Sequence, residues 1–562
     1  MAVFIIITLY IGLLTILHIP YFQEKIGAAV ASRLSDYLNT EVKIGRIDLG
    51  LLNQAIVSDI ILYDQSGENA INIDKASARI EPVALLRGDI NLSSIQLFNL
   101  SANIYRKTPN SQLNIQFIID KLKSKSSKEE KKSKLKVGTI VLRNSCLRYQ
   151  VLSNTSGNNQ EQQFNVNDIL FDNINLVTRI NKIANDTIDI DVENLSFDEK
   201  KCGFRLDNLK TSILSLPDEI KLGNTEIISR NSFISSDELA IKHPSDKGQM
   251  EINGNIRNST ITPSDFSCFL RKLTAFNTPF RINTNFDYSH SIVTLNGMEF
   301  GTVDNGLDIQ GDFMLSALTE KYPEVEAKFR TLKVKCLFLA PYLKAFHVSQ
   351  NVNQILSKLD YVEGNGVFSY KHPQTTCRAI LSSLPGKLSI DGTLDNNRLQ
   401  AHISTPSFHI TELSPEMKIK DIGMDLDVET DFSAPKKKLA AKGFISHILY
   451  EDTNINNIEI DGQISNEEFS GFLAVDDPKM SFGFEGNLKG LSTKRYELKA
   501  KLDINRFTPS DLGLNGDYTN FNYSLQAIAD IHASNIYDAE GIVNIKDIKI
   551  SSSKIGRASC RE

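Results

Sequence analysis

A chain of 562 residues is long enough for several domains, yet with 16 Pro and 31 Gly it carries no Pro/Gly/Ser-rich linker of the usual kind and reads as one long array. A net charge of -6 implies no nucleic acid, and the absence of Trp beside 29 Phe removes most of the aromatic platforms on which bases stack. Partners that need only an apolar face suit the 41% apolar content better.

The N-terminus supplies a membrane. Ala2 to Ile19 (AVFIIITLYIGLLTILHI) is 18 residues without a formal charge, and the uncharged run continues through Gln23. At about 1.5 Å per residue, 18 to 22 helical residues span roughly 27 to 33 Å, enough for a bilayer core. A cleaved signal peptide is the competing reading. Its small-x-small site, Ala29-Val30-Ala31, lies beyond Pro20 and a charged stretch, so residues 1–22 are read as an uncleaved transmembrane signal anchor. No Lys or Arg precedes the run, while Lys25, Arg33 and Lys43 follow it, and by the positive-inside rule alone the body would be cytoplasmic.

Residues 23–40 form the next element. From Phe22, the positions Ile26, Ala29, Val30, Leu34 and Leu38 recur at helical spacing, which predicts an amphipathic helix capping the first strand; the same spacing also describes a plain core helix. Asn39 and Thr40 end it.

From Val42 one pattern recurs: apolar-x-apolar-x-x-apolar-x-apolar. It reads Val42-Lys43-Ile44-Gly45-Arg46-Ile47-Asp48-Leu49, and returns from Ile71, Ile90, Ile190, Met417 and Val543. A random chain of this composition would show it roughly twice, so six occurrences point to a repeated unit. A flat strand would throw the two halves onto opposite faces. The gap residues (Gly45-Arg46, Ser93-Ser94, Glu193-Asn194, Lys420-Asp421, Lys546-Asp547) suit a β-bulge or sharp bend that restores the face. Ordinary amphipathic strands in a sandwich are the plainer alternative.

A second signature, apolar-x-Gly-x-apolar, occurs around Gly254, Gly311, Gly392, Gly462 and Gly486, where glycine permits bending or close backbone approach. Thr-Pro-Ser-Asp appears at Thr262 to Asp265 and at Thr508 to Asp511, each predicting a capped short helix or turn with Pro first. Residues 121–136 (KLKSKSSKEEKKSKLK) are Lys-rich and read as a solvated loop between strands, or as a contact for anionic head groups.

The search for chemistry finds no His-Glu-x-x-His, no Gly-x-Ser-x-Gly elbow and no Gly-rich phosphate loop. His402 and His409 fall in strand pattern and read as surface residues. Cys146, Cys202, Cys268, Cys336, Cys377 and Cys560 are far apart in sequence with no Cys-x-x-Cys, and are read as single buried thiols. No catalytic, cofactor or metal residue is assigned.

The anchor, the helix and Leu38-Asn39-Thr40-Glu41-Val42-Lys43-Ile44-Gly45-Arg46-Ile47-Asp48-Leu49 resemble the opening of AsmA-like proteins. Leu113 to Asp120 (LNIQFIID) and Ile140 to Ser145 (IVLRNS) resemble the TamB branch found in Bacteroidetes-type bacteria. Asn39 stands where that resemblance leads one to expect Gly, and Asn also tolerates a left-handed cap. The resemblance implies an inner-membrane anchor, a periplasmic body and a long bent antiparallel β-sheet groove with an apolar lining, over residues 41–554. It also implies a characteristic C-terminal domain, which is not found; the chain reads as a fragment, with residues 555–562 resembling a translated sequencing adapter.

The fold class expected is therefore mainly β: an elongated, bent groove with an N-terminal transmembrane helix and short capping helices. Ile47, Leu49, Ile90, Leu92, Ile95, Leu97, Ile190 and Val192 are the candidate lining residues. The function expected is a bridge carrying phospholipid from the inner toward the outer membrane. The alternative is an assembly factor for outer-membrane β-barrels, acting with an outer-membrane partner of the TamA type. No enzyme activity is expected.

Overall fold

The structure is a computed structural model. It describes residues 15, 19–49, 53–81, 91–124, 136–154, 163–184, 187–242, 250–317, 320–345, 350–433, 438–465, 468–490, 495–512, 516, 518–534 and 538–552. The apolar run expected to be an anchor lies outside the described residues apart from Thr15 and Ile19, and no helix among the described residues is long and apolar enough to cross a membrane. The adapter-like tail and most of the Lys-rich run, residues 125–135, also lie outside them.

The chain divides into two units, Met1–His290 and Ser291–Glu562. The first contains α1 (Pro20–Leu38), β1 (Val42–Leu49), β2 (Gln54–Tyr63), β3 (Asn69–Ile80), β4 (Asn91–Arg106), α2 (Gln116–Ser124), β5 (Lys136–Val151), β6 (Asp168–Ala184), β7 (Thr187–Glu199), β8 (Arg205–Ser215), β9 (Glu219–Ser229), β10 (Ser232–Lys242), β11 (Glu251–Ile261) and β12 (Phe280–Ser289). The second contains β13 (Ile292–Thr302), β14 (Leu307–Ser316), β15 (Glu324–Lys335), α3 (Cys336–Ala345), α4 (Gln350–Leu359), β16 (Tyr361–Lys371), β17 (Gln374–Ser383), β18 (Gly386–Asp395), β19 (Arg398–His409) and α5 (Ile410–Leu413). It continues with β20 (Ile419–Asp431), β21 (Lys438–Tyr450), β22 (Thr453–Ser465), β23 (Glu468–Asp476), β24 (Met480–Lys489), β25 (Tyr496–Phe507), β26 (Phe521–Ala533) and β27 (Glu540–Ser552). The protein is mainly β, as its alternating patterns require.

Within each unit the strands pair in sequence order, almost always antiparallel. The exception is β4 with β5, which run parallel from Asn91↔Lys136 to Arg106↔Val151. This departs from the wholly antiparallel sheet expected: parallel neighbours need a crossover, and the connection from β4 to β5 includes α2.

The gaps in the repeated pattern are bends. Register shifts fall at Ser93-Ser94, Glu193-Asn194, Lys420-Asp421 and Lys546-Asp547, as a β-bulge demands. At Gly45-Arg46 the register is unbroken, and the turn is made by Asp59 in the facing strand, whose φ is 56°. Left-handed Asp or Asn also stands inside strands at Asn99, Asn144, Asn173, Asn224, Asn258, Asn457 and Asp547. Asn and Asp adopt this conformation at low steric cost. Ile455 and Ile458 flank Asn457, yet both pack in one cluster with Ile445, Val475 and Met480. The bend has returned residues three apart to the same face.

The Thr-Pro-Ser-Asp motifs form 3₁₀ turns at Pro263–Phe266 and Pro509–Leu512, with Pro first. Thr262 makes no side-chain cap; its hydroxyl donates to the Asn231 carbonyl, and the Asp265 carboxylate accepts from Asn231 N at 3.0 Å and Ser232 Oγ at 2.7 Å. These motifs fasten a turn to its neighbouring hairpin.

Helix α1 covers β1, and it ends at Asn39 in the left-handed conformation, φ 55°. It does so with Gln23, Gly27 and Ala31, while Phe22 and Leu34 stay exposed. A Cβ on Gly27 would lie 3.1 Å from the Gly45 carbonyl oxygen, so the close approach of helix to strand at this point requires glycine. Ser35 completes the contact, its hydroxyl accepting from Val42 N at 2.9 Å. Gly27→Leu should push α1 from β1 at a cost of about 1–3 kcal/mol; amide hydrogen exchange in residues 42–49 should accelerate, and unchanged protection there would refute this packing.

Candidate apolar face

Residues opposite one another in a sheet share a face, and alternate residues along a strand share it too. In the first unit this joins Ile47 to Val57, Val57 to Ala76, Ala76 to Leu97 and Leu97 to Leu142. The row continues through Leu176, Leu195, Leu209 and Ile227 to Ile234. Ten successive strands each contribute one apolar side chain, and every one is half-buried.

Six of the eight candidate residues, Ile47, Leu92, Ile95, Leu97, Ile190 and Val192, fall on this face by register. Ile95 stands opposite Ala78 and Ile140, Leu92 opposite Ile80 and Val137, Ile190 opposite Ile180 and Ile213, and Val192 opposite Thr178 and Thr211. Leu49 pairs with Ala55 in the backbone register, and Ile90 lies outside the described residues. Val192 is buried, whereas Ile47, Leu92, Ile95, Leu97 and Ile190 keep part of their surface exposed.

The second unit carries an equivalent face that the eight candidates do not include. One row runs from Ile390 through Ile403, Leu426, Gly443, Ile460 and Leu473. It proceeds to Phe484, Leu502, Ala527 and Ile545. Beside it runs a row of small residues, Gly392, Ala401, Val428, Ala441, Gly462 and Gly471, followed by Gly486, Ala500 and Ala529. At Gly392, Gly462 and Gly486 the apolar-x-Gly-x-apolar signature is the sequence trace of this second row, whereas Gly254 and Gly311 lie outside it. A Cβ on Gly392 would stand 3.0 Å from that of Ala401, against roughly 4.5–5.5 Å for ordinary cross-strand neighbours. Adjacent strands therefore draw together on the apolar side at these positions.

The opposite face is charged and exposed. Arg378 pairs with Asp391 at 2.7 Å, His402 with Asp427 at 2.9 Å, and Lys442 with Asp461 at 2.7 Å. Such exposed pairs contribute about 0–1 kcal/mol each, so they keep the face wet rather than hold the sheet together. His402 is a surface residue as expected, and its carboxylate partner raises its pKa. In the first unit, left-handed Asn residues link their side chains strand to strand. Asn99 donates to Asp74 at 3.0 Å, Asn144 to Asn99 at 2.8 Å, and Asn173 to Asp198 at 2.8 Å. Sequence reading missed this ladder, because its Asn residues stand away from the gaps of the repeated pattern.

Buried carboxylates mark turns rather than a reactive centre. Asp477, 1% exposed, accepts from Lys479 N at 2.7 Å, Asn456 N at 2.9 Å and Asn456 Nδ2 at 2.7 Å. Burial pushes its pKa up, but these donors more than offset that, and the net shift is below the ordinary 3.8. Asp64 is held low in the same manner, by Tyr105, Ser66 and Glu68 against burial. Among the described residues no group of three His, Cys, Asp or Glu is placed to hold a metal ion. What the described residues offer chemically is an extended apolar face.

Comparison with known protein families, curated proteins and solved structures finds no match for this chain.

Because the folded carboxyl of Asp477 titrates below its unfolded value, its stabilisation is present above about pH 4 and is lost as pH falls through the depressed folded pKa. Asp477→Asn, which leaves a donor facing donors, should cost about 2 kcal/mol at neutral pH and flatten the acid limb of stability followed by circular dichroism. An acid limb identical to that of the parent protein would contradict this role.

Proposed function

We propose that this chain is a lipid conduit: the apolar face is the lining of a bent β-groove in which phospholipid acyl chains travel between two membranes. The continuity of the face carries the reading. Each strand of β1–β10 and of β18–β27 adds at least one residue to an apolar row, and most of these residues remain half-exposed. An acyl chain laid on such a surface gains about 0.8 kcal/mol for each methylene removed from water. The close strand approach at the glycine row supports a sheet that curls toward its apolar side. Repeated bends in one direction would deepen that curl into a trough.

The uncharged run of residues 2–19 supports an anchor in the inner membrane, directly ahead of α1, with the body in the periplasm as the AsmA-like and TamB resemblance implies. A second reading, support of outer-membrane β-barrel assembly through a partner of the TamA type, rests on the same TamB resemblance.

A photo-crosslinking residue placed in the full chain at Leu97 or Leu473 should capture phospholipid in cells, while the same residue at Glu459 or Asp461 on the charged face should not. Equal capture at both sets of positions, or none at either, would sink the conduit. Leu473→Asp should abolish lipid passage and leave partner binding intact; loss of partner binding with normal lipid transfer would favour the assembly reading.

A further inference from the structure

Because α1 meets β1 through Gln23, Gly27 and Ala31, a neighbouring stripe of the helix is left facing outward. Phe22, Ile26, Val30, Arg33 and Tyr37 follow one another at steps of three or four residues and so share one side of the helix. Phe22 is 41% exposed and Tyr37 38%, while Ile26 and Val30 are half-buried. Tyr21 is 58% exposed, and the Lys25 ammonium stands 4.8 Å above its ring. At the other end of the helix the Tyr37 ring lies 5.5 Å from the ammonium of Lys121, the first residue of the Lys-rich run. The two carboxylates of the helix, Glu24 and Asp36, fall outside the series. The stripe is therefore apolar and aromatic, and the charges placed on it or at its ends are cationic.

The chain immediately ahead of this stripe is the uncharged run of residues 2–19. Ile19 is extended, with φ -73° and ψ 123°, and Pro20 opens the helix, so α1 starts as a separate helix at the end of that run. We propose that α1 is an interfacial helix, lying along the surface of the bilayer that the preceding run enters. Phe22, Ile26, Val30 and Tyr37 enter the boundary between head groups and acyl chains, and Lys25 and Arg33 meet lipid phosphates. This inference rests on the anchor reading given above.

The chemistry of the stripe matches that boundary. An interfacial helix buries its apolar side about 5–10 Å deep, where hydrocarbon gives way to phosphate. Tyr and Phe rings suit this depth, and the long stems of Lys and Arg let the charge reach the phosphate layer while the methylenes stay in apolar surroundings. The planar Arg33 guanidinium can take two phosphate oxygens at once. The consequence lies in β1, which packs on the adjacent side of α1 and begins the apolar row with Ile47. A helix fixed to the membrane holds that first strand at the bilayer surface, where an acyl chain leaving the bilayer meets the row at its start.

The chain contains no Trp, so a single introduced Trp reports its own surroundings. The full chain carrying Phe22→Trp, Tyr37→Trp or, on the charged face of the second unit, Phe444→Trp is reconstituted in vesicles of phosphatidylglycerol and phosphatidylcholine whose acyl chains are brominated, since bromine quenches indole emission only at close range. Tyr37 lies roughly 22 Å along the helix axis from Phe22, so it comes within reach of bromine only if α1 lies flat on the membrane. Both α1 positions should lose most of their emission relative to unbrominated vesicles, and Phe444→Trp should keep its own. Quenching of Phe22→Trp without Tyr37→Trp would mean that α1 rises away from the bilayer, which overturns the proposal and leaves the anchor in place. Two unquenched α1 positions in a chain that still floats with the vesicles would overturn it too, by showing that another segment covers the stripe; so would equal quenching at all three positions. A chain that does not float with the vesicles would overturn the anchor and the interfacial helix together.

Discussion

Everything in this protein depends on how a strand can turn without losing its apolar side. A strand that simply bends keeps its period of two, while one that takes an extra residue at the bend must rotate its backbone to bring the next apolar residue back. At several bends a left-handed Asn or Asp performs that rotation, as Asp547 does at the register shift in β27. The case that fixes the argument is Asn457, where Ile455 and Ile458 on either side reach the same cluster as Ile445 and Met480. With alanine or a β-branched residue there, the conformation would be strained and the face broken.

Given such bends, cohesion is local. Strands pair with their neighbours in sequence, so each apolar residue is covered chiefly by the residues opposite it on the adjacent strands. Burial is consequently partial along whole rows, and the compact cluster around Ile445, Ile458, Val475 and Met480 is an exception. A conventional domain would cover such a face with helices or a second sheet. Where an apolar face stays half-exposed over many strands, its occupant is the functional question, and the proposed conduit answers it with acyl chains. The charged opposite face and its weak ion pairs keep the other side in water.

Helix α1 and the strand glycines illustrate how small residues control approach. Helix α1 looks amphipathic in sequence, yet it meets β1 through Gln23, Gly27 and Ala31, with Gly27 against the Gly45 backbone. Periodicity reports which residues are apolar; it does not report how near the partner backbone will come. The same holds for Gly392 and Gly462, legible as a signature but interpretable only once their opposite residues are known.

By itself the sequence determined the strand class, the places of four register shifts and which residues alternate as apolar, because period-two alternation and polar gap residues are local properties written in consecutive positions. It marked Leu97 and Ile190 as members of a face without revealing which residues stand across from them. Only the tertiary structure decided the parallel pairing of β4 with β5, the left-handed bends inside strands and the packing of α1 through Gln23, Gly27 and Ala31. Those depend on contacts between segments distant in the chain, and no local pattern encodes which distant backbone will arrive, or how close.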